Sequence, residues 1–416
     1  MNRRFRVFFV SGSLALTILL LVGVKMGRTA PAEDDPYSHF RVFSEVVTRI
    51  KSDYVEEPNM KNVTLGALNG LLESVDPYAS YLNAEQYKLY QQSRSGPQAN
   101  VGLVLTRRFG YVAVVDAIEG SPAAQAGLNT GDVLESIKGI GTRDMPLAFA
   151  EMLLLGAPGT EVEIQVLRAR KPEPEKLTLK RAEVKLPAPV LNILDNDTIH
   201  LTVPALDATL ADSFRKGITA ANDKRARRLI VDLRNCSTGE AALGLELAKH
   251  FVENGKLGYV EGQRVARQDF AADPAKVLWK GPLAVITNRG TAGAAEVLVS
   301  ALLENKRADV IGERTFGMAS QRRALTLDDG SAVLLSVAKF YNNAGKAIQD
   351  NGVVPNYPLV DATAGEDTEG DPSVPAPEAP KEDTLLKKAI EVVNGTKTVA
   401  ANTDAGLNFD AAVRRW

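Results

Sequence analysis

A single cysteine, Cys236, in 416 residues excludes an intrachain disulfide, whatever compartment the chain occupies. The three histidines are scattered and no Cys/His pair has ligand spacing, so no metal centre is expected. No glycine-rich loop of the phosphate-cradling type is present, and a net charge of −2 supplies no basic excess for nucleic acid. The chain therefore implies no cofactor and no nucleic-acid partner. A hydrophobic content of 45% suits globular cores, and the length suits two or three domains.

Long apolar runs are also scarce. The one uncharged run, residues 8–24, comes after Arg3, Arg4 and Arg6. It falls in the lower range of lengths for a membrane span, about 17–25 residues. The basic residues before it place the N-terminus in the cytoplasm. The expectation is an uncleaved anchor in a bacterial inner membrane, with a single N-terminal span and the bulk of the chain in the periplasm. The alternative is a cleaved signal peptide with Ala30-Pro31-Ala32 as its small-residue site. Lys25 and Arg28 make that cleavage region long and basic, which favours the anchor. Both readings export the remainder of the chain.

The stretch 285–323 organises the rest. Val285-Ile286 ends a short apolar strand at Asn288-Arg289-Gly290, small residues then open a helix over 294–303, and 308–312 reads as a second strand before a loop at Thr315-Phe316-Gly317. A group at the mouth of such a helix sits where backbone N–H groups and the helix dipole favour negative charge.

This stretch resembles the carboxyl-terminal processing, or tail-specific, serine proteases. Their pattern is N-x-x-S-A-S-A-S-E at a strand-to-helix turn, followed by V-G-E-x-T-F-G-K-G-x-x-Q. Asn288, Ala292, Ala294, Glu296, Gly312, Glu313, Thr315, Phe316 and Gly317 match. The resemblance puts the nucleophile at Gly293 and the base at Met318, with the family's spacing between them retained. The family's glutamine falls on Arg322, with Gln321 one residue early. A Ser–Lys pair needs a hydroxyl to attack and an amine of lowered pKa to take its proton. Glycine has no side chain, and a thioether is no base. Thr291 and Ser320 carry nearby hydroxyls; Thr291 reads as the cap of the following helix and Ser320 as a loop residue.

The strand 229–234 matches the family's D-L-R-x-N-P-G-G, whose loop supplies backbone donors to the oxyanion. Here Cys236, Ser237 and Thr238 replace asparagine, proline and the first glycine, and Gly239 keeps the second. Losing an oxyanion donor costs roughly 10²–10³ in rate. Cys236 reads as a buried inert thiol, with His200 and His250 as candidate partners were it reactive.

Upstream, residues 119–132 (E-G-S-P-A-A-Q-A-G-L-N-T-G-D) predict a short helix capped by Ser121, opened by Pro122 and closed by Gly127. A strand at 133–137, a helix at 146–155 and a strand at 161–168 come next, and the whole resembles a PDZ domain. That resemblance puts the carboxylate-binding loop at Gly102, Leu103, Val104 and Leu105, where a peptide C-terminus would add a strand. Residues 35–95 read as helical, broken by V-D-P-Y-A-S-Y-L at 75–82, which resembles the family's L-D-P-H-S-S-Y-L. In the family this segment commonly builds dimers; a plain helical cap is the alternative.

The predicted fold is α/β and multidomain: 1–34 anchor or signal, 35–96 helical, 97–184 PDZ, 185–360 (with part of 35–96) protease-like core, and 361–416 acidic proline-rich linker and tail. The predicted function is a membrane-anchored pseudoprotease that binds peptide or protein C-termini, an active protease relative, or a second copy of itself. The alternatives are an active serine peptidase with a displaced nucleophile and a structural scaffold with an idle PDZ groove.

Overall fold

The computed structural model describes residues 36–93, 99–168, 173–195, 197–360 and 382–395. The expected anchor or signal at 1–34, the acidic linker at 361–381 and the tail from 396 lie outside the described residues. Among the described residues no helix is long and apolar enough to cross a membrane, and no cluster of side chains could hold a metal. The chain divides into two compact units, 1–65 and 66–416.

In the first unit lies α1 (Pro36–Asp53). Phe40, Phe43 and Val46 on this helix are exposed. The second helix, α2 (Met60–Glu73), runs across the division and buries Leu72 and Asn69 within the second unit.

The second unit opens with β1 (Ser80–Leu82) and α3 (Ala84–Ser93). Next comes an antiparallel sheet in the order β2-β3-β4-β6-β7, made of β2 (Leu103–Arg108), β3 (Tyr111–Ala117), β4 (Val133–Ile137), β6 (Glu161–Leu167) and β7 (Glu175–Lys180), with β5 (Ile140–Gly141) beside β4. Two helices close it. Short α4 (Pro122–Gln125) is capped by Ser121, whose hydroxyl accepts the Ala124 N–H at 3.2 Å. Gly127 comes next at φ +71°, the left-handed conformation that ends a helix without a Cβ clash. The second helix, α5 (Leu147–Leu154), lies against the sheet with Leu147, Ala150 and Leu154 buried.

The core sheet has the order β17-β14-β13-β10-β9-β8, from β8 (Val190–Ile193), β9 (Thr198–Thr202), β10 (Arg228–Asp232), β13 (Leu283–Thr287), β14 (Asp309–Gly312) and β17 (Tyr357–Pro358). All neighbours are parallel except β8 and β9. Parallel strands are covered on both faces, so β10 and β13 read as continuous apolar runs. On one face lie α6 (Ala211–Asp223), α7 (Ala241–Ala248) and α8 (Ala294–Glu304). Gly244 lets α7 and α8 meet backbone to backbone; a Cβ there would stand 2.2 Å from the Ala294 carbonyl oxygen. A third sheet, β1-β16-β11-β12 with β15 on β16, adds β11 (Lys256–Glu261), β12 (Gln268–Ala271), β15 (Ser320–Thr326) and β16 (Ala332–Tyr341).

Helix α6 starts at Ala211, because the Asp207 carboxylate takes the N–H groups of Thr209 and Leu210 and holds a turn there. One expectation about the fold is corrected. The core does not end at 360. Helix α9 (Thr384–Val393) covers the other face of the sheet, with Leu385, Ala389 and Val393 against Ile230, Ala284, Ile286 and Ile311. Asp383 caps this helix at the Leu386 N–H (2.9 Å) and receives Arg234 Nη2 at 2.8 Å.

Candidate active site

The centre is a strand-to-helix turn between β13 and α8. Asn288 builds it. Its Oδ1 accepts N–H groups from Asn235 and Gly290, each at 3.0 Å, and its Nδ2 donates to Asn235 Oδ1 at 2.8 Å. Thr291 is not the helix cap. Its buried hydroxyl accepts the Asn288 N–H at 3.0 Å and donates to the Leu233 carbonyl at 2.8 Å, tying the turn to the end of β10. The N-cap is Gly293, at φ +61° and ψ −120°. This conformation is hospitable only to glycine, and a Cβ there would stand 3.0 Å from the Gly239 carbonyl oxygen.

Glu296 holds the second half of the site in register with the first. Its carboxylate is fully buried and accepts four hydrogen bonds, from Gly293 N–H (3.1 Å), Thr315 Oγ1 (2.6 Å), Gly317 N–H (2.5 Å) and Met318 N–H (2.7 Å). Burial pushes its pKa up to about 7 against the pull of those donors. One side chain thus fixes Gly293 and Met318 to a common centre. The Met318 side chain, together with Phe316, packs against an apolar cluster that contains Tyr78, Leu105 and the interior of the first sheet.

The 235–239 loop forms the third side. Ala292 N–H donates to the Cys236 carbonyl at 3.0 Å. Thr238 Oγ1 turns away to the Leu206 backbone, accepting its N–H at 3.0 Å and donating to its carbonyl at 3.3 Å. Ser237 Oγ donates to Asp116 Oδ2 on β3 at 2.8 Å, with both residues buried. Burial pushes Asp116 up to about 6, opposed by Ser237 and by the Ala117 N–H.

The hydroxyls and thiol near the centre are each committed elsewhere. Ser320 Oγ pairs with Ser336 Oγ at 2.9 Å; its register partner, Lys339, is held by Asp350 at 2.9 Å. Cys236 is fully buried, and burial pushes its thiol far above the ordinary range. His200 Nε2 bonds Asp232 Oδ2 at 3.1 Å, and His250 Nδ1 meets the Lys276 carbonyl at 3.0 Å. Burial pushes Asp232 up, but His200 and Arg234 together hold it below its ordinary range. Arg322 projects from β15, exposed, with its guanidinium 5.8 Å from the Tyr78 ring centroid.

Of the residues expected to bind peptide, Leu103, Val104 and Leu105 lie on β2, an edge of the first sheet, flanked by Phe149 and Leu153 of α5. Gly102 precedes them at φ +80°, so close to Ser121 that a Cβ would overlap it at 2.1 Å. Its N–H is already engaged by Asn100 Oδ1 at 2.7 Å.

With this geometry in place, family models match at two points: residues 197–359 match peptidase family S41, and residues 114–168 match a PDZ domain. The chain is 28% identical over 363 residues to carboxy-terminal processing protease CtpA of Bacillus subtilis (strain 168), covering 85% of this chain and 77% of that one. It is 26% identical over 425 residues to a carboxy-terminal-processing protease of Bartonella bacilliformis, covering 95% and 97%. Over most of its length the chain is similar to the carboxy-terminal processing proteases. Its fold matches that of a photosystem II D1 C-terminal processing protease at a TM-score of 0.64, with 24% identity over 77% of this chain and 92% of that one.

Three features of the site have no signature in the sequence: the Asp116–Ser237 bond, the place of Tyr78, and the four-donor grip of Glu296. Glu296 stands in a matched motif, but only the fold shows which amides it collects.

Asp116 generates a pH prediction. Its folded pKa lies above the unfolded value, so the folded state retains a proton that the unfolded chain loses. Stability from this group falls as pH rises through the window from about 4 to 6, by up to about 3 kcal/mol. Asp116→Asn keeps an acceptor for Ser237 and removes the charge. Denaturant unfolding at stepped pH should show a flatter slope for Asp116→Asn in that window, with Glu296 and His250 still contributing slopes of opposite sign up to about pH 7. An unchanged slope would mean that Asp116 is not the titrating group.

Proposed function

We propose that this chain is a catalytically inactive peptide-binding protein, exported and anchored in the bacterial inner membrane by its N-terminal segment. The observation that carries the reading is the pair of positions joined by Glu296: the nucleophile position holds Gly293, and the base position holds the partly buried thioether of Met318. No displaced nucleophile has support. Thr291 is locked in the turn, Ser320 pairs with another hydroxyl, and the Cys236 thiol is kept protonated by burial. Residues that act as a unit lose nearly everything when one goes, so substitutions at both positions leave no working dyad.

Peptide binding is supported by the free outer edge of β2 and the apolar flank of α5. The Gly102 N–H is already given to Asn100 Oδ1, so a terminal carboxylate has that one donor fewer in the loop. Anchoring is supported by the basic start and the uncharged run at 8–24.

Three outcomes are expected. The purified chain neither hydrolyses unstructured protein nor takes a fluorophosphonate label, and Gly293→Ser alone stays unlabelled because it lacks a base. Robust labelling of the unmodified chain would overturn inactivity. A peptide with a free apolar C-terminus binds more tightly by calorimetry than its amidated twin; equal affinities would remove the carboxylate site. An alkaline phosphatase domain fused after Trp416 is active in a bacterial host, and an inactive fusion would place the bulk of the chain in the cytoplasm.

A further inference from the structure

We propose that the vacated catalytic centre is a fixed intramolecular seat for the PDZ domain, built from the very positions that the family devotes to chemistry. The proposal rests on the reading that positions 293 and 318 have left catalysis, and it adds what Met318 and the 235–239 loop do instead.

Four contacts carry it. Ser237, where the family has proline, donates its hydroxyl to Asp116 of β3 at 2.8 Å, and both residues are buried. Proline has no hydroxyl, so this bond exists only because the loop departs from the pattern. Met318 and its neighbour Phe316 pack against the cluster formed by Tyr78 and the PDZ interior. A lysine at 318 would bring an ammonium against that apolar surface at a desolvation cost, whereas a thioether adds contact area. Gly290 lies against the PDZ turn so closely that a Cβ would stand 3.1 Å from Thr130 Oγ1. Thr130 is itself fixed, its hydroxyl donating to the Val115 carbonyl at 2.8 Å.

The fourth, made in two places, clasps the domain from the N-terminal side. Tyr78 in the turn before β1 is buried in one apolar cluster with Leu105 of β2, and Ala148 N–H at the start of α5 donates to Ser80 Oγ of β1 at 3.2 Å. The two walls of the peptide groove, β2 and α5, are therefore each pinned to structure outside the PDZ domain. A serine and a lysine at the centre would need open space for a scissile peptide. This chain fills the same region with its own domain, so the PDZ domain and the core move as one body and the groove is presented in a single orientation.

Hydrogen–deuterium exchange on the full chain in detergent micelles tests this. The seat segments 128–132, 235–239 and 316–319 should exchange slowly in the unmodified protein. Met318→Lys and Asp116→Ala should each raise exchange there at least tenfold, with β6 and β10 still protected. Met318→Leu, which keeps the apolar contact, should match the unmodified protein. If Met318→Lys unfolds the core as a whole, Ser237→Ala, which removes one hydroxyl, decides by the same segments. Fast exchange of the seat in the unmodified chain, or rates unchanged by both Asp116→Ala and Ser237→Ala, would overturn the proposal. Fast exchange without serine-probe labelling sinks the seat alone, and labelling with a protected seat sinks inactivity alone.

Discussion

A buried carboxylate holds this centre together. Glu296 sits in the first turn of α8 and gathers donors from that turn and from the 315–318 loop. A buried charge that lost this set would face a penalty of several kcal/mol, so the backbone around it has one arrangement. Thr315 extends the grip by accepting the Val353 N–H at 2.8 Å, which ties in the segment before β17. The strand-to-helix turn, the loop and the end of the core are therefore positioned by one residue that performs no chemistry.

On the reading proposed above, that explains how the frame persists without a serine at 293 or a lysine at 318. The residues matching the family, Asn288, Glu296, Thr315 and Gly317, are those whose side chains or amides close the hydrogen-bond network. Gly293 and Met318 contribute only backbone to it. Substitution at those two positions leaves every bond of the network in place. At Gly293 it also removes a cost: a non-glycine residue held at φ +61° carries roughly 1–3 kcal/mol of strain, which a nucleophile must bear for its function.

Much of the fold is legible in the sequence because its signals are local. The S-P-A-A-Q-A-G turn caps, opens and closes α4 with three residues, and the apolar run of β10 needs no partner to be recognised. The frame of the site is legible as well, since the matched residues Asn288, Glu296, Thr315 and Gly317 are the ones that close its hydrogen-bond network. What is not legible depends on residues far apart in the chain. Asp116 and Ser237 are separated by 121 positions, and neither has a pattern that names the other. Helix α9 comes after a proline-rich acidic stretch that reads as the end of the domain; only its apolar face, laid on Ile230, Ile286 and Ile311, shows that the sheet had a second side to cover. Thr291 reads as a cap because hydroxyls before helices usually cap them, and here the Leu233 carbonyl competes successfully for it.

The departures from the family pattern share one physical direction. Glycine at 293 relieves strain, methionine at 318 stands where a desolvated amine would be and adds apolar contact, serine at 237 adds a buried hydrogen bond, and threonine at 238 ties its loop to the Leu206 backbone. Each would harm a working hydrolase, through the nucleophile, the base or the oxyanion loop. Each also favours a compact resting structure over an accessible one. An active centre must keep strain, a desolvated amine and open space together, all of which oppose stability. Once the reaction is not required, the same region can relax toward ordinary packing, and the packing partner within reach is the PDZ domain that already borders it.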